Sequence, residues 1–219
     1  MFDQLTPNVK KLLIINIAVY FFAQLYNENF FIQYFAFFNP ILPNTQELLN
    51  PVFKPWQFLT YMFMHGSVGH LFSNMLGLFI FGPALETYMG SKKFIIYYLI
   101  TGIGAALLNT GLNIYDMSKL AVDSEAFFRE AVIPMVGASG AIFGILAAFA
   151  FIFPNVEMML LFFPFPIKAK YFVAMYGIYE LVQGTAGIQT GIAHFAHLGG
   201  LITGLILLKF FGFSKRNYY

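Results

Sequence analysis

Long apolar runs, separated by polar or Pro/Gly-rich stretches, dominate this chain. The pattern predicts helices over residues 11–26, 69–89, 93–113, 137–153, 170–184 and 193–211. A long connection carrying Pro40, Pro43, Pro51 and Pro55 follows the first run, and a polar loop precedes the fourth. The fourth run is short. From Ser139 to Phe153 it extends about 22 Å at ~1.5 Å per residue, against about 30 Å of hydrocarbon. Its N-terminus is therefore expected below the membrane surface, reached through the non-helical stretch "IPMVGA". Irregular backbone at that depth has to be buried in protein or line a wet cavity.

Composition strengthens the membrane reading. Of the 219 residues, 59% are hydrophobic and only 10% charged, where a soluble domain carries about 25% charge; the mean hydropathy is +0.70. The expected fold is an all-α polytopic membrane protein, one six-helix domain over residues 1–219. A net charge of +2 gives no reason to expect a nucleic-acid partner. The chain has no cysteine, which excludes disulfides, thiolate catalysis and thiolate metal sites. The first run ends in "QLYNENF", not in a small-residue cleavage site, and reads as a retained span.

The basic residues set an expected orientation. With the N-terminus inside, Lys10, Lys11, Lys92, Lys93, Lys168, Lys170, Lys209, Lys215 and Arg216 fall on the cytoplasmic side, while Lys54, Lys119 and Arg129 fall outside. That bias predicts N-in, C-in. The even-numbered runs then begin at the outer face, bringing His70 and Asn74, Ser139, and His194 and His197 to one end of the bundle.

Ser139 sits at the start of the fourth run, where a helix N-terminus offers free N–H groups and positive potential. A lone membrane serine commonly caps a helix or bonds a carbonyl. Its surroundings point further. Gly140, Gly144 and Ala148 form a small-residue stripe at four-residue spacing, and Ala196, Gly200 and Gly204 form another. Such stripes let backbones approach. Ser139 and His197 each lie one position before a stripe, so packing the stripes brings a hydroxyl to a candidate general base. His194 is a competing base. His70 and Asn74, four apart, share a helix face and make plausible oxyanion donors or, more plainly, interhelical hydrogen bonds.

Other chemistries fit less well. His65 and His70 are five apart, about 140° around a helix, and would not share a ligand face. No H-E-x-x-H occurs, and no carboxylate is expected beside the histidines at the outer end. Glu180, deep in the fifth run, has no second acid for aspartyl-type catalysis; it is expected to face the bundle or a wet crevice. The aromatic and proline-rich segment 35–58 is a candidate interfacial loop.

"HGSVGHLFSN", "GASGAIFG" and "AHLGGLITG", in that order on the second, fourth and sixth runs, together with "GPALETYMGSKK", resemble the rhomboid intramembrane serine proteases. The resemblance runs from Trp56 to Gly204. It implies a rhomboid-like six-helix bundle and a Ser–His dyad without a third acid, Ser139 as nucleophile and His197 as base. It also implies oxyanion stabilisation by His70 and Asn74, flanking roles for Gly137 and Gly140, and a supporting role for His65. The implied partners are transmembrane protein substrates and the bilayer of a cell membrane, bacterial inner or plasma membrane, with the site toward the outer face. No metal and no cofactor are implied. Glu86 matches a family glutamate expected to brace loop contacts.

The chain departs from the family pattern twice. Trp56-Gln57 stands where many members have Trp-Arg, which predicts altered loop anchoring. Phe143 stands where several bacterial members have a tyrosine stacked on the catalytic imidazole. The rival readings are a catalytically inactive rhomboid-like protein that binds membrane clients, and a small transporter.

Overall fold

The computed structural model describes residues 5–160, 163–186 and 193–214. Each apolar run folds as a helix: α1 (Pro7–Tyr26), α4 (Val68–Met89), α5 (Ser91–Met117), α7 (Ser139–Ile152), α8 (Ala169–Thr185) and α9 (His194–Phe210). Of these, α1, α4 and α5 are long and apolar enough to cross a membrane unaided, while α7 and α9 are shorter apolar helices. Three short helices lie in the connections: α2 (Glu28–Phe35), α3 (Gln57–Thr60), continued by a 3-10 turn at Tyr61–Phe63, and α6 (Glu125–Val132). Their starts are locally encoded. Asn27 caps α2 by accepting from the Phe30 N–H, and Ser124 caps α6 by accepting from the Phe127 N–H.

Two expectations are corrected. The chain is not purely helical: β1 (Glu157–Leu160) and β2 (Phe163–Lys168) form an antiparallel hairpin between α7 and α8. Pro164 and Pro166 deny that stretch a helix. In addition, α7 begins at Ser139 and not at residue 137, because Gly137 has φ +123, a conformation no helix accommodates. Lys215 and Arg216, two of the residues in the charge count, lie outside the described residues.

The bundle is organised around α7. Ten of its fourteen residues are buried, and it packs against α4, α5, α8 and α9. The two small-residue stripes meet as a seam between α7 and α9. A methyl group added to Gly200 would run into the Gly140 carbonyl, and one added to Gly204 would lie 3.1 Å from the Gly144 Cα. Tyr97 on α5 donates to the Gly144 carbonyl at 2.8 Å, fastening a third helix to the seam. By contrast, α8 is mostly exposed, and its buried residues are Ala169, Val173 and Glu180.

At the other end of α4, Glu86 is 2% exposed. Its carboxylate accepts from the backbone N–H of Asn8 (3.0 and 3.1 Å) and of Val9 (2.9 Å). These are orphan donors of the first turn of α1, where a negative charge also meets the positive end of the helix dipole. Glu86 braces a helix start, more specifically than the loop role expected of it.

Candidate active site

The stretch ahead of α7 is extended, and its backbone groups are taken up by protein. Met135 and Phe37 exchange both backbone hydrogen bonds, at 2.8 and 2.9 Å, and the Gly137 N–H donates to the Tyr61 carbonyl at 2.9 Å. Non-helical backbone is thereby satisfied inside the bundle. Gly137 has to be glycine on two counts. Its φ is left-handed, and a methyl group there would lie 2.7 Å from His70 Nε2 and 3.6 Å from Asn74 Nδ2. The backbone two residues before Ser139 is thus pressed against the two polar side chains of α4.

Ser139 is the first residue of α7, and the capping position belongs to Ala138, which has no side-chain acceptor. The serine hydroxyl is not spent on the helix. It contacts His197 instead: Ser139 Oγ lies 2.8 Å from His197 Nε2. The first intrahelical bond runs from the Ile142 N–H to the Ala138 carbonyl, so the N–H groups of residues 139–141 precede the helical ladder. Asn74 is buried, and its Nδ2 has no hydrogen-bond partner among the described residues. An unpaired buried donor is costly. It lies against Gly137, two residues before the uncapped start of α7, where an acceptor would satisfy it.

His197 is fixed on three sides. Its Cα rides on the glycine seam. The Phe143 ring stacks on its imidazole, with centroids 4.3 Å apart and planes 8° from parallel. The departure at position 143 therefore keeps the ring contact. The third side is occupied by Glu180, which reaches in from α8: Oε2 lies 3.0 Å from His197 Nδ1, off the alignment of a hydrogen bond, and 2.5 Å from His194 Nδ1. One expectation falls here: a carboxylate does accompany the histidines. His194 spends its Nδ1 on Glu180, while the contact to Ser139 is made by His197.

The sequence contained a signal for this cluster. His194 and His197 are three apart, hence on one helix face, and a buried Glu180 requires a partner. Only the tertiary packing of α8 on α9 joins the two facts. Glu180, His194 and His197 are also three potential metal ligands whose donor atoms lie within 4.8 Å of one another.

His65 lies outside any helix, in the connection before α4, so the helical-spacing argument against its meeting His70 does not hold. The two rings pack edge to face at 5.1 Å. Burial, and then the neighbouring His70, push His65 down to about 4, keeping it neutral. At the start of α3, Gln57 is fully buried; it accepts from the Lys54 N–H at 3.0 Å and donates to the carbonyls of Gln33 and Val52, both at 3.4 Å. Trp56 Nε1 donates to the Tyr34 carbonyl at 2.8 Å. The Trp-Gln pair anchors this loop through neutral hydrogen bonds.

Comparison with known proteins follows the same residues. The Rhomboid domain family matches residues 52–213. The chain is similar to Rhomboid protease AarA of Providencia stuartii, 33% identical over 159 residues, covering 69% of this chain and 54% of that protein. It is similar to Rhomboid protein 1, mitochondrial, of Saccharomyces cerevisiae, 32% identical over 145 residues, 66% of this chain and 38% of the relative. Rhomboid-like protein 11, chloroplastic, of Arabidopsis thaliana is 32% identical over 164 residues, 71% of this chain and 52% of the relative. The matches span about half or less of these relatives' length.

Proposed function

The chain belongs to the rhomboid family, and from that premise we propose that it is an intramembrane serine endopeptidase, cutting membrane-protein substrates in or near a transmembrane segment. The observation that carries this reading is the 2.8 Å contact between Ser139 Oγ and His197 Nε2 at the uncapped start of α7. In the proposed arrangement the six long helices form a six-span bundle with both ends on one side, and the site lies toward the opposite, outer face of a cell membrane. The apolar side chains left exposed on the loop before α3, Leu48, Leu49 and Trp56, suit the interfacial layer.

The chemistry follows from the geometry. A substrate segment unwinds to free a carbonyl. Ser139 Oγ bonds to the carbonyl carbon as its proton passes to His197 Nε2. The charge moves to the carbonyl oxygen, which takes hydrogen bonds from His70, Asn74 and the Ser139 N–H; removing one such donor typically raises a barrier by about 2.7–4 kcal/mol. The oxyanion collapses, the C–N bond breaks, and the departing amine takes the proton from His197. Water then repeats the sequence on the acyl ester, returning Ser139. Gly140, packed against α9, sets the spacing that lets the pair meet.

The test needs no natural substrate. Wild type, Ser139→Ala and His197→Ala, each shown to be folded in mild detergent, are exposed to a fluorescent fluorophosphonate. Labelling of wild type alone is the expected result. A folded wild type that takes up no label, or a Ser139→Ala that takes up as much, overturns the assignment and favours a client-binding protein without proteolysis.

A further inference from the structure

We propose that Glu180 is a positioning residue that makes the site a Ser139–His197–Glu180 triad, with His194 bracing the carboxylate from its other side. This rests on the reading of Ser139 and His197 as nucleophile and base. Glu180 is 2% exposed. A carboxylate buried to that degree persists only with partners, and here a single oxygen, Oε2, faces two imidazole nitrogens, His194 Nδ1 at 2.5 Å and His197 Nδ1 at 3.0 Å.

An ionised carboxylate can only accept, so both contacts require a hydrogen on Nδ1. For His197 that requirement is the useful one. A neutral imidazole with its hydrogen on Nδ1 presents a bare Nε2, the atom that faces Ser139 Oγ. Glu180 thus selects the tautomer competent to accept the serine proton. Once the proton has moved, the imidazole is cationic and sits beside a fixed negative charge. The acid itself exchanges no proton.

The alignment of the three groups gives His194 its part. The shorter contact goes to His194, and the approach to His197 is close but bent. His194 holds Oε2 in place, leaving it room to turn toward His197 when that ring becomes charged. A second contact arrives from the same helix. Tyr176, one turn before Glu180, packs on Phe143 at 4.8 Å, and Phe143 stacks on His197. Among the described residues, the titratable groups facing this imidazole are Glu180 from α8, His194 from its own helix and His70 from α4, while Tyr176 meets Phe143 and Glu180.

The same three residues have the donor set of a metal site, but their spacing favours hydrogen bonds. Two donors 2.5 Å apart and each about 2.1 Å from an ion would subtend about 73°, far below the ~109° of a tetrahedral site. An ion would have to pry the cluster apart.

The experiment measures the rate of fluorophosphonate labelling against probe concentration and pH, on the full chain in detergent. Glu180→Gln is expected to lower the maximal labelling rate about 100-fold or more with little change in the concentration for half-maximal rate, by analogy with a disrupted triad acid. The pH midpoint of the rate should fall by about one unit or more, because the imidazolium loses its counter-charge. A folded Glu180→Gln with the wild-type rate and midpoint overturns the proposal. So does wild-type labelling that EDTA abolishes and Zn²⁺ restores, which would make the cluster a metal site. Should Glu180→Gln not fold, His194→Phe is read instead. It removes the competing donor, concentrates the carboxylate on His197 and raises the midpoint; an unmoved midpoint then overturns the idea. Failure of the underlying dyad is distinguishable, since wild type itself would remain unlabelled.

Discussion

Glu86 and Glu180 are the same residue type, both on long helices and both 2% exposed, yet their surroundings give them different work. Glu86 faces backbone N–H groups at the start of α1, donors fixed by the fold that never change protonation. Glu180 faces two imidazoles that can. A buried carboxylate beside a helix start holds a structure together; one beside a titratable ring can also tune how that ring exchanges a proton. The partner, not the acid, separates a brace from a part of the proposed machinery.

The largest effect that would break this comparison is the one expected of Glu180→Gln, about two orders of magnitude in labelling rate or more. Glu86→Ala should do the reverse. It strands buried N–H groups at the start of α1 and is expected to lower stability by about 2–3 kcal/mol, read as a fall in unfolding temperature in detergent. The labelling rate per folded molecule should hold. If Glu86→Ala slows labelling of folded protein as much as Glu180→Gln does, the distinction between the two acids fails.

A smaller effect comes from His65, which the site end holds neutral against its solution tendency. Its folded value, about 4, lies below the ~6.5 of an unfolded histidine. Between those values the unfolded chain binds the extra proton, so stability is full above about pH 6.5 and drains away as the pH falls toward 4. The expected loss at pH 5 is about 2 kcal/mol. His65→Asn should lose less stability than wild type between pH 7.5 and 5; equal acid sensitivity of the two proteins would remove His65 from the account.

The smallest effect concerns the ring that faces His197. Phe143→Leu deletes the stack on the imidazole and the contact to Tyr176. A pair of this kind contributes about 0.5–1.5 kcal/mol, so labelling should slow about 2- to 10-fold without a shift in pH midpoint. A midpoint shift as large as that of Glu180→Gln would mean that the ring, and not the acid, governs the imidazole.

Most of this arrangement was legible in the chain, and what was not has a physical reason. Each of the six apolar runs became a helix, because a run of that length has few other ways to bury its backbone. The stripes around Gly140 and Gly200 announced their seam, and with it the meeting of Ser139 and His197, since small residues at four-residue spacing serve little else. The paired strands β1 and β2 were missed because their aromatic and aliphatic composition resembles the spans on either side. His65 was misjudged by applying helical spacing to a residue outside any helix. Glu180 was placed inside the bundle but not at the site, because its partners lie across a helix–helix contact that no local pattern encodes.

The uncapped start of α7 has a consequence for anyone who sets out to stabilise this protein. A good cap on a helix is worth roughly 1 kcal/mol, and position 138, an alanine, goes without. Any screen for heat resistance will be drawn to that end of the helix, where improvement looks easy. On the proposed mechanism, a side chain that satisfies those N–H groups permanently would occupy the spot the reacting oxygen needs only for an instant. Variants selected there for robustness should come out sturdier and slower. On the proposed mechanism, the weak point is kept because something transient has to fit into it.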